Sequence, residues 1–501
     1  MASPVISQDH PVPSDYPGSA DIVGFGVDGV HVAPNSTFCM QTKQVLSNFG
    51  LDTGGWKTSR HPRLLGDTTG DGNKDLVGFG ESGVWISRNN GNGTFRPAEC
   101  ILRDFGAAEG AGGWAVEKHI RFLADLRNVG RVDIVGFGER GVFVALNEGK
   151  GTFEAPRIAI DGFGYNQGWR LDKHLRFLAD TTGDGLLDIV GFGDSFVFVS
   201  RSNGDGTFQP ARAVIDSSFT ISHGWTVGDN PRFLADMTGD GTVDVVGFKG
   251  SGAFVSFNDG CGSFGAPVQV STGFGCDLGW NKNHPRFLVP VSRNNAAADI
   301  IGFGNDGVSV ALNNGDGTFQ PSKCVINDFG YNQGWRVDKH PRFVVDLNGD
   351  GRGDIIGFGY NFTLISFSNG DGTFGPVLKI AENFALNTGW PPDSTVRYVV
   401  NLRDRRESRR DPDTKPLCQS ASQPRRPSSD TELKIQRLLE EHEASRQVME
   451  EMLAESRIAE HKARSENLLL RKRIKLLEGS KASCSVGSTM ASMPGLSTDK
   501  K

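Results

Sequence analysis

Two constellations in this 501-residue chain carry residue types that could do chemistry, and both of them repeat. The first is an acidic loop, Asp67-Thr-Thr-Gly-Asp71-Gly-Asn-Lys-Asp75, with complete copies at 180–188, 236–244 and 346–354. Carboxylates stand at positions 1, 5 and 9 of each copy: Asp67, Asp71 and Asp75; Asp180, Asp184 and Asp188; Asp236, Asp240 and Asp244; Asp346, Asp350 and Asp354. Position 3 carries a hydroxyl or an amide, namely Thr69, Thr182, Thr238 or Asn348. A hard cation such as Ca2+ takes about six to eight oxygens on a sharply curved loop, and glycine at position 6 permits the curve. At any single loop, Asp-Gly as a plain β-turn competes with this reading. Four loops with one pattern favour a metal, and all sixteen residues are expected ligands. Two further copies depart from the pattern: Arg127 fills position 3 of 125–133, and Pro290 replaces the first Asp of the loop ending at Asp299. A cation that can be dispensed with twice is expected to brace the structure and not to react.

The second constellation is Gly-Trp followed by a histidine. It pairs Trp56 with His61, Trp114 with His119, Trp169 with His174 and Trp335 with His340, while His284 follows Trp280 one residue early. Asn230 and Thr395 take the histidine slot after Trp225 and Trp390. Amide and basic residues flank two of the copies, as Asn166 and Arg170, and Asn332 and Arg336. A tryptophan that recurs in this way could simply fill a wedge between structural units, with histidine capping a loop carbonyl. The functional reading is a saccharide site, because a sugar offers an apolar C–H face to an aromatic ring and hydroxyls to amide, guanidinium and imidazole groups. Catalysis is disfavoured. Glycosidases need two carboxyls at one site, and no carboxylate pair recurs outside the acidic loops.

The elements that must position these groups follow from the spacing. The seven Gly-Trp steps are separated by 58, 55, 56, 55, 55 and 55 residues, and an Asp-aliphatic-aliphatic-Gly-Phe box also occurs seven times. Such self-similarity marks a solenoid or a propeller. Within the unit around Trp335, four short strands are expected at 343–346, 354–358, 362–366 and 377–380. The Asn-Gly-containing turn before the fourth strand is a hairpin signal. No helical pattern follows its Gly-x-Gly, which removes a phosphate-loop reading. Four antiparallel strands per unit, arranged radially, make an all-β seven-bladed β-propeller. The ends complement each other: Asp21-Ile-Val-Gly-Phe is a second strand without a first, and Val396–Leu402 is a first strand without a second. Joining them closes the ring and leaves no open edge. A pair of β-sandwiches would not need that complementary truncation.

The propeller is expected within residues 1–402. Residues 403–429, rich in charge, proline and serine, read as a disordered linker. Residues 430–478 read as a charged helix with a poor heptad pattern, weak as a coiled coil but a candidate for self-association, and 479–501 as a disordered tail. Residues 1–402 carry 32 basic and 43 acidic side chains, so the body is acidic and a nucleic-acid backbone is not its expected ligand. The seven cysteines include no CxxC pair, and a reducing compartment is the simpler setting. No signal peptide and no run of about 18 apolar residues is seen, so the expectation is a cytoplasmic or non-classically released protein without a membrane span.

DIVGFG, NNGDGTF and FGYNQGWRVDKHPRF, in seven units, resemble the lectin family of Psathyrella velutina, a fungal seven-bladed propeller family with FG-GAP-like repeats. More distantly, the Phe-Gly boxes are similar to the calcium-bearing FG-GAP repeats of integrin α-subunit propellers. The lectin resemblance covers about residues 3–402. It implies multivalent binding of glycans ending in N-acetylglucosamine, more weakly sialic acid, in pockets between consecutive blades, together with bound calcium. Carried over position by position, the Trp/His segments 56/61, 114/119, 169/174, 280/284 and 335/340 match. The Trp225 segment, with Asn230, matches less well, and the Trp390 segment departs most, so six sites at most are expected. The rival is an integrin-like calcium-binding propeller that contacts proteins and has no sugar pocket.

Overall fold

A computed structural model of the chain describes residues 20–403, apart from 35–41, 217 and 293–295. The linker, helix and tail expected beyond Arg403 lie outside the described residues. Among the described residues the strands form seven four-stranded antiparallel sheets, with one two-stranded hairpin, Asn147–Gly149 with Thr152–Phe153, at a turn of the second. These are the blades. In the blade that contains the Trp335 segment the strands are Arg342–Val345, Asp354–Phe358, Thr363–Ser366 and Leu378–Ala381. The expected boundaries hold to within a residue.

The second strand of each blade, Asp-aliphatic-aliphatic-Gly-Phe, is buried along its whole length in six of the seven copies, and all but its first residue is buried in Asp21–Phe25. Sandwiched between neighbouring blades on both faces, it reads as a continuous apolar run and not as an alternating one. Six of the seven outer strands keep exposed positions, as in Lys43–Leu46 and Glu99–Leu102, and Val268–Ser271 is the exception. The ring closes as the complementary ends require: Asp21–Phe25 pairs antiparallel with Val396–Val400, from Asp21 opposite Val400 to Phe25 opposite Val396. Tyr398 donates its hydroxyl to the Arg63 carbonyl, which ties this composite blade to the next.

The meander order sorts the connections onto two faces. Turns between strands one and two, and between three and four, emerge on one face. Those between two and three, and the crossings to the next blade, emerge on the other. The acidic loops and Asn-Gly turns therefore share an acidic face, and the Trp/His segments share a histidine face.

Candidate functional site

On the histidine face each crossing segment begins at a phenylalanine in the left-handed region, for example Phe329 with φ of 63°, and runs through a short turn to Gly334 and Trp335. Trp335 Nε1 donates to Asp328 Oδ1 at 3.1 Å, the same carboxylate oxygen that accepts the Phe329 N–H. The segment lies on the second-to-third turn of the blade it leaves: Asn332 N donates to Asn305 O at 2.8 Å, and Asn332 Nδ2 to Asp306 Oδ1 at 2.8 Å. Arg336 stacks on Tyr331 at 3.6 Å and donates to the carbonyls of Tyr331 and Trp335. Arg170 and Tyr165 repeat that pair at 3.7 Å. Asn166 and Asn332 are exposed.

All five histidines are buried, and all are held one way. The backbone N–H of Lys57, Ala115, Arg170, Asn281 or Arg336 donates to Nδ1 of His61, His119, His174, His284 or His340 at 3.0–3.2 Å. Nδ1 is thus an acceptor, and the neutral ring carries its proton on Nε2. Burial lowers the imidazole pKa of His61, His119 and His284, and with nearby Arg342 and Lys339 it pushes His340 down to about 4. Asn230 imitates the arrangement, taking the Thr226 N–H on Oδ1 and donating Nδ2 to Phe248 O.

Where Nε2 points differs between junctions. It meets Glu81 at 3.0 Å, Glu139 at 3.4 Å, Asp194 at 3.0 Å and Asn305 Oδ1 at 3.0 Å. Neither His119 Nε2, for all the nearness of Glu139, nor His340 Nε2 makes a hydrogen bond among the described residues, and at His340 the Tyr360 ring stands 4.2 Å away. Beside Trp225, Lys249 reaches over the indole at 5.5 Å and donates to His223 O. These partner residues escaped sequence reasoning although a signal was present: each follows directly on the Gly-Phe-Gly box, as Glu81, Glu139, Asp194, Asn305 and Tyr360. Their side chains reach solvent at the junction, so they offer the oxygen acceptors that a ligand can touch.

The tryptophans need a correction. Trp56, Trp114 and Trp335 were candidates to stack on a sugar, but each is only 5–6 % exposed and belongs to the core. Each indole packs on the left-handed phenylalanine of its own segment, with centroids 4.8–5.0 Å apart. Its Cη2–Cζ3 edge also abuts the box glycine of the next blade. A Cβ at Gly78, Gly136 or Gly357 would sit 2.4–2.6 Å from the ring. Trp169 and Trp280 make the same contacts with Gly191 and Gly302, though they are half-buried. The wedge-filling role explains why Gly-Phe-Gly and Gly-Trp travel together.

The acidic face also departs from expectation. Asp67, Asp180, Asp236 and Asp346 turn inward and accept backbone N–H groups of their own loops, as Asp67 does from Thr69 (3.0 Å), Gly70 (2.7 Å) and Gly72 (2.8 Å). Asp71, Asp184, Asp240 and Asp350 accept the N–H two residues on. Thr69, Thr182 and Thr238 donate weakly back to position 1, while Asn348 donates to Asp350. Position 9 serves the blade in every copy. Asp75 Oδ2 accepts from Thr68 N and Thr68 Oγ1, and its Oδ1 accepts from Asn89 N. Asp188, Asp244 and Asp354 do the equivalent. So do Asp133 and Asp299, whose loops lack the cation pattern. A job shared by both kinds of loop belongs to the blade and not to a metal. Burial raises these carboxyls, Asp75 to about 6 and Asp354 to about 7.

Among the described residues no group of three His, Cys, Asp or Glu side chains is placed to hold a metal ion. The donor set as folded does not make the expected cage. The link between blades is supplied by amides instead. Asn147 Nδ2 donates to Thr68 O in the preceding blade at 2.9 Å, Asn258 to Thr181 O at 2.9 Å and Asn313 to Met237 O at 2.9 Å. Ser368 Oγ reaches Val291 O at 2.8 Å, and Asn89 reaches Leu402 O at 3.3 Å across the ring closure.

Comparison with known proteins agrees with this architecture. The model of the FG-GAP-like repeat matches residues 180–247. No curated protein matches. Among solved structures, a lectin of Agrocybe aegerita is 53 % identical, covers 79 % of this chain and 98 % of its own, and superposes with a TM-score of 0.76. That structure describes specific recognition of non-reducing terminal N-acetylglucosamine. The Photorhabdus luminescens Tc holotoxin pore (17 % identity, 74 % of this chain, 16 % of that chain, TM-score 0.41) and AztD of Citrobacter koseri (11 %, 77 %, 99 %, 0.39) are too remote to carry an argument. The fold is thus a seven-bladed β-propeller with FG-GAP-like repeats. The chain belongs to the same protein family as the Agrocybe aegerita lectin.

Proposed function

We propose that this protein is a lectin, a binding protein and not an enzyme, that reads glycans ending in non-reducing N-acetylglucosamine at the blade junctions of its histidine face. The observation that carries the proposal is the 53 % identity to a lectin of that specificity, spread over 98 % of that lectin's length. The geometry supports it. Five of the seven junctions combine a buried neutral histidine with an exposed turn residue, and in three of them that residue is a carboxylate: Glu81, Glu139 or Asp194. In this arrangement the histidines and tryptophans form the floor, and the turn acceptors, with exposed Asn166 and Asn332, meet the sugar hydroxyls. The kinship with the Psathyrella velutina lectin, and recognition of sialylated ends, belong to the same proposal.

A single pocket of this kind holds a monosaccharide at about millimolar strength, roughly 4 kcal/mol. Several on one rigid ring gain about 10²–10⁴ in avidity on a dense glycan surface. Among the described residues no helix is long and apolar enough to cross a membrane. A glycan array tests the proposal: binding concentrated on terminal N-acetylglucosamine supports it, and silence on those spots favours the protein-contacting propeller.

A further inference from the structure

Seven arginines, Arg63, Arg121, Arg176, Arg232, Arg286, Arg342 and Arg397, stand at the first or second position of the seven inner strands, and all are 5 % exposed or less. None takes part in an ion pair among the described residues. Each clamps the carbonyl of the left-handed phenylalanine that opens its crossing segment. Burial lowers these guanidinium groups to about 9 or 10, which leaves them protonated at neutral pH. A buried cation without a counter-charge is costly, by several kcal/mol in order of magnitude.

The seven divide into two groups by how they use their donors. In Arg63, Arg121, Arg176, Arg232 and Arg342 the clamp uses Nη1 at 2.7–3.2 Å. Their Nε and Nη2 are buried and have no partner among the described residues. Those two N–H bonds lie on one edge of the guanidinium and point the same way, which is the fork that grips an anion. Arg286 and Arg397 turn this edge onto the protein itself. Arg286 closes it on the single oxygen of Phe274, at 3.2 Å from Nε and 3.1 Å from Nη2. Arg397 closes it on the Phe384 and Trp390 carbonyls. Arg286 follows the segment that is one residue short, and Arg397 the one that carries Pro391-Pro392. The Arg286 junction therefore shows what the edge accepts, namely one acceptor atom held by both donors.

We propose that the junctions of Arg63, Arg121, Arg176, Arg232 and Arg342 each bind one small monovalent anion, of halide size, in the Nε–Nη2 fork, and that those of Arg286 and Arg397 bind none. Aromatic rings flank all five open guanidinium groups. The guanidinium carbon of Arg342 lies 5.3 Å from the Phe303 centroid and 5.8 Å from that of Trp335, and Arg176 sits likewise between Phe137 and Trp169. Apolar walls weaken competition from water and strengthen the attraction between guanidinium and anion. A water molecule would satisfy the two donors but not the charge, and a halide does both. The inference stands on the arginines alone and does not rest on the glycan reading.

The test is anomalous diffraction from crystals of the full chain soaked in bromide without sugar. Five peaks, each in hydrogen-bonding reach of both Nε and Nη2 of the five open arginines, with none at Arg286 or Arg397, is the expected result. Peaks at all seven, peaks confined to surface lysines and arginines as an adventitious ion only, or water-strength density in the forks would overturn it. In solution, the melting temperature should rise saturably as chloride replaces gluconate at constant ionic strength. A flat response overturns the proposal as well.

Discussion

The two faces of the propeller carry equally regular motifs, yet those motifs serve opposite ends. On the acidic face, conspicuous carboxylates spend their oxygens on backbone amides, and Asn or Ser side chains tie five of the seven blades to the one before. On the histidine face, buried rings hold their segments rigid while the variable residue after Gly-Phe-Gly reaches solvent. Residue type alone would assign chemistry to the acidic face. Burial and hydrogen bonding assign it architecture, and leave the solvent-facing acceptors of the junctions for a ligand.

The largest effect that would sharpen this contrast comes from Asp354→Ala. It strips Leu347 N and Ser368 N of their acceptor, and loss of two buried bonds should cost about 3 kcal/mol in denaturant unfolding. Asp350→Asn, in the same loop but facing out, should stay within about 0.5 kcal/mol. Equal losses would break the distinction between position 9 and the rest. Next, Gly357→Ala drives a methyl toward Trp335, an overpacking that should cost about 2 kcal/mol. An unchanged melting curve would mean that the indole is not locked in the wedge. Asn258→Ala removes the bonds to Thr181 O and Val243 O and should cost about 1 kcal/mol.

The faces also titrate in opposite senses. His340 folds with its pKa lowered to about 4, so the unfolded chain binds the proton more readily, and this contribution to stability is lost as pH falls from about 6.5 toward 4. Asp354 folds with its pKa raised to about 7, so its contribution is lost as pH rises from about 4 toward 7. His340→Asn, the replacement seen naturally at Asn230, should flatten the acid-side loss in a series of melts between pH 4 and 7. An identical profile would contradict the assignment. The smallest expected effect is that of calcium. Because the loops close on their own amides, melting in a chelator and in calcium should agree within the error of the scan, and a clear rise with calcium would show that positions 1, 3 and 5 gather around a cation after all.

Much of the fold was legible because seven units in register specify a blade, and because Asp21–Phe25 and Val396–Val400 are visibly two halves of one. The site was less so. Tryptophan has the same one-letter signature whether it fills a wedge or faces a sugar, and only the 2.6 Å between the Gly357 Cβ position and Trp335 decides which. The structural role of position 9 was hidden because an Asp that ends a loop is also the Asp that opens a strand. Asp133 and Asp299 held the corrective signal, since they persist where the rest of the cation pattern is gone. The buried arginines escaped notice because a charge before an apolar run reads as surface until its surroundings are known.

The most direct test of the central claim is a crystal structure of the full chain with N-acetylglucosamine at saturating concentration. The account predicts sugar at blade junctions on the histidine face, hydrogen-bonded to the side chains of Glu81, Glu139 and Asp194, with the indoles of Trp56, Trp114 and Trp169 beneath and no sugar on the acidic loops. Sugar bound on the acidic face, or no sugar at any junction, would contradict it.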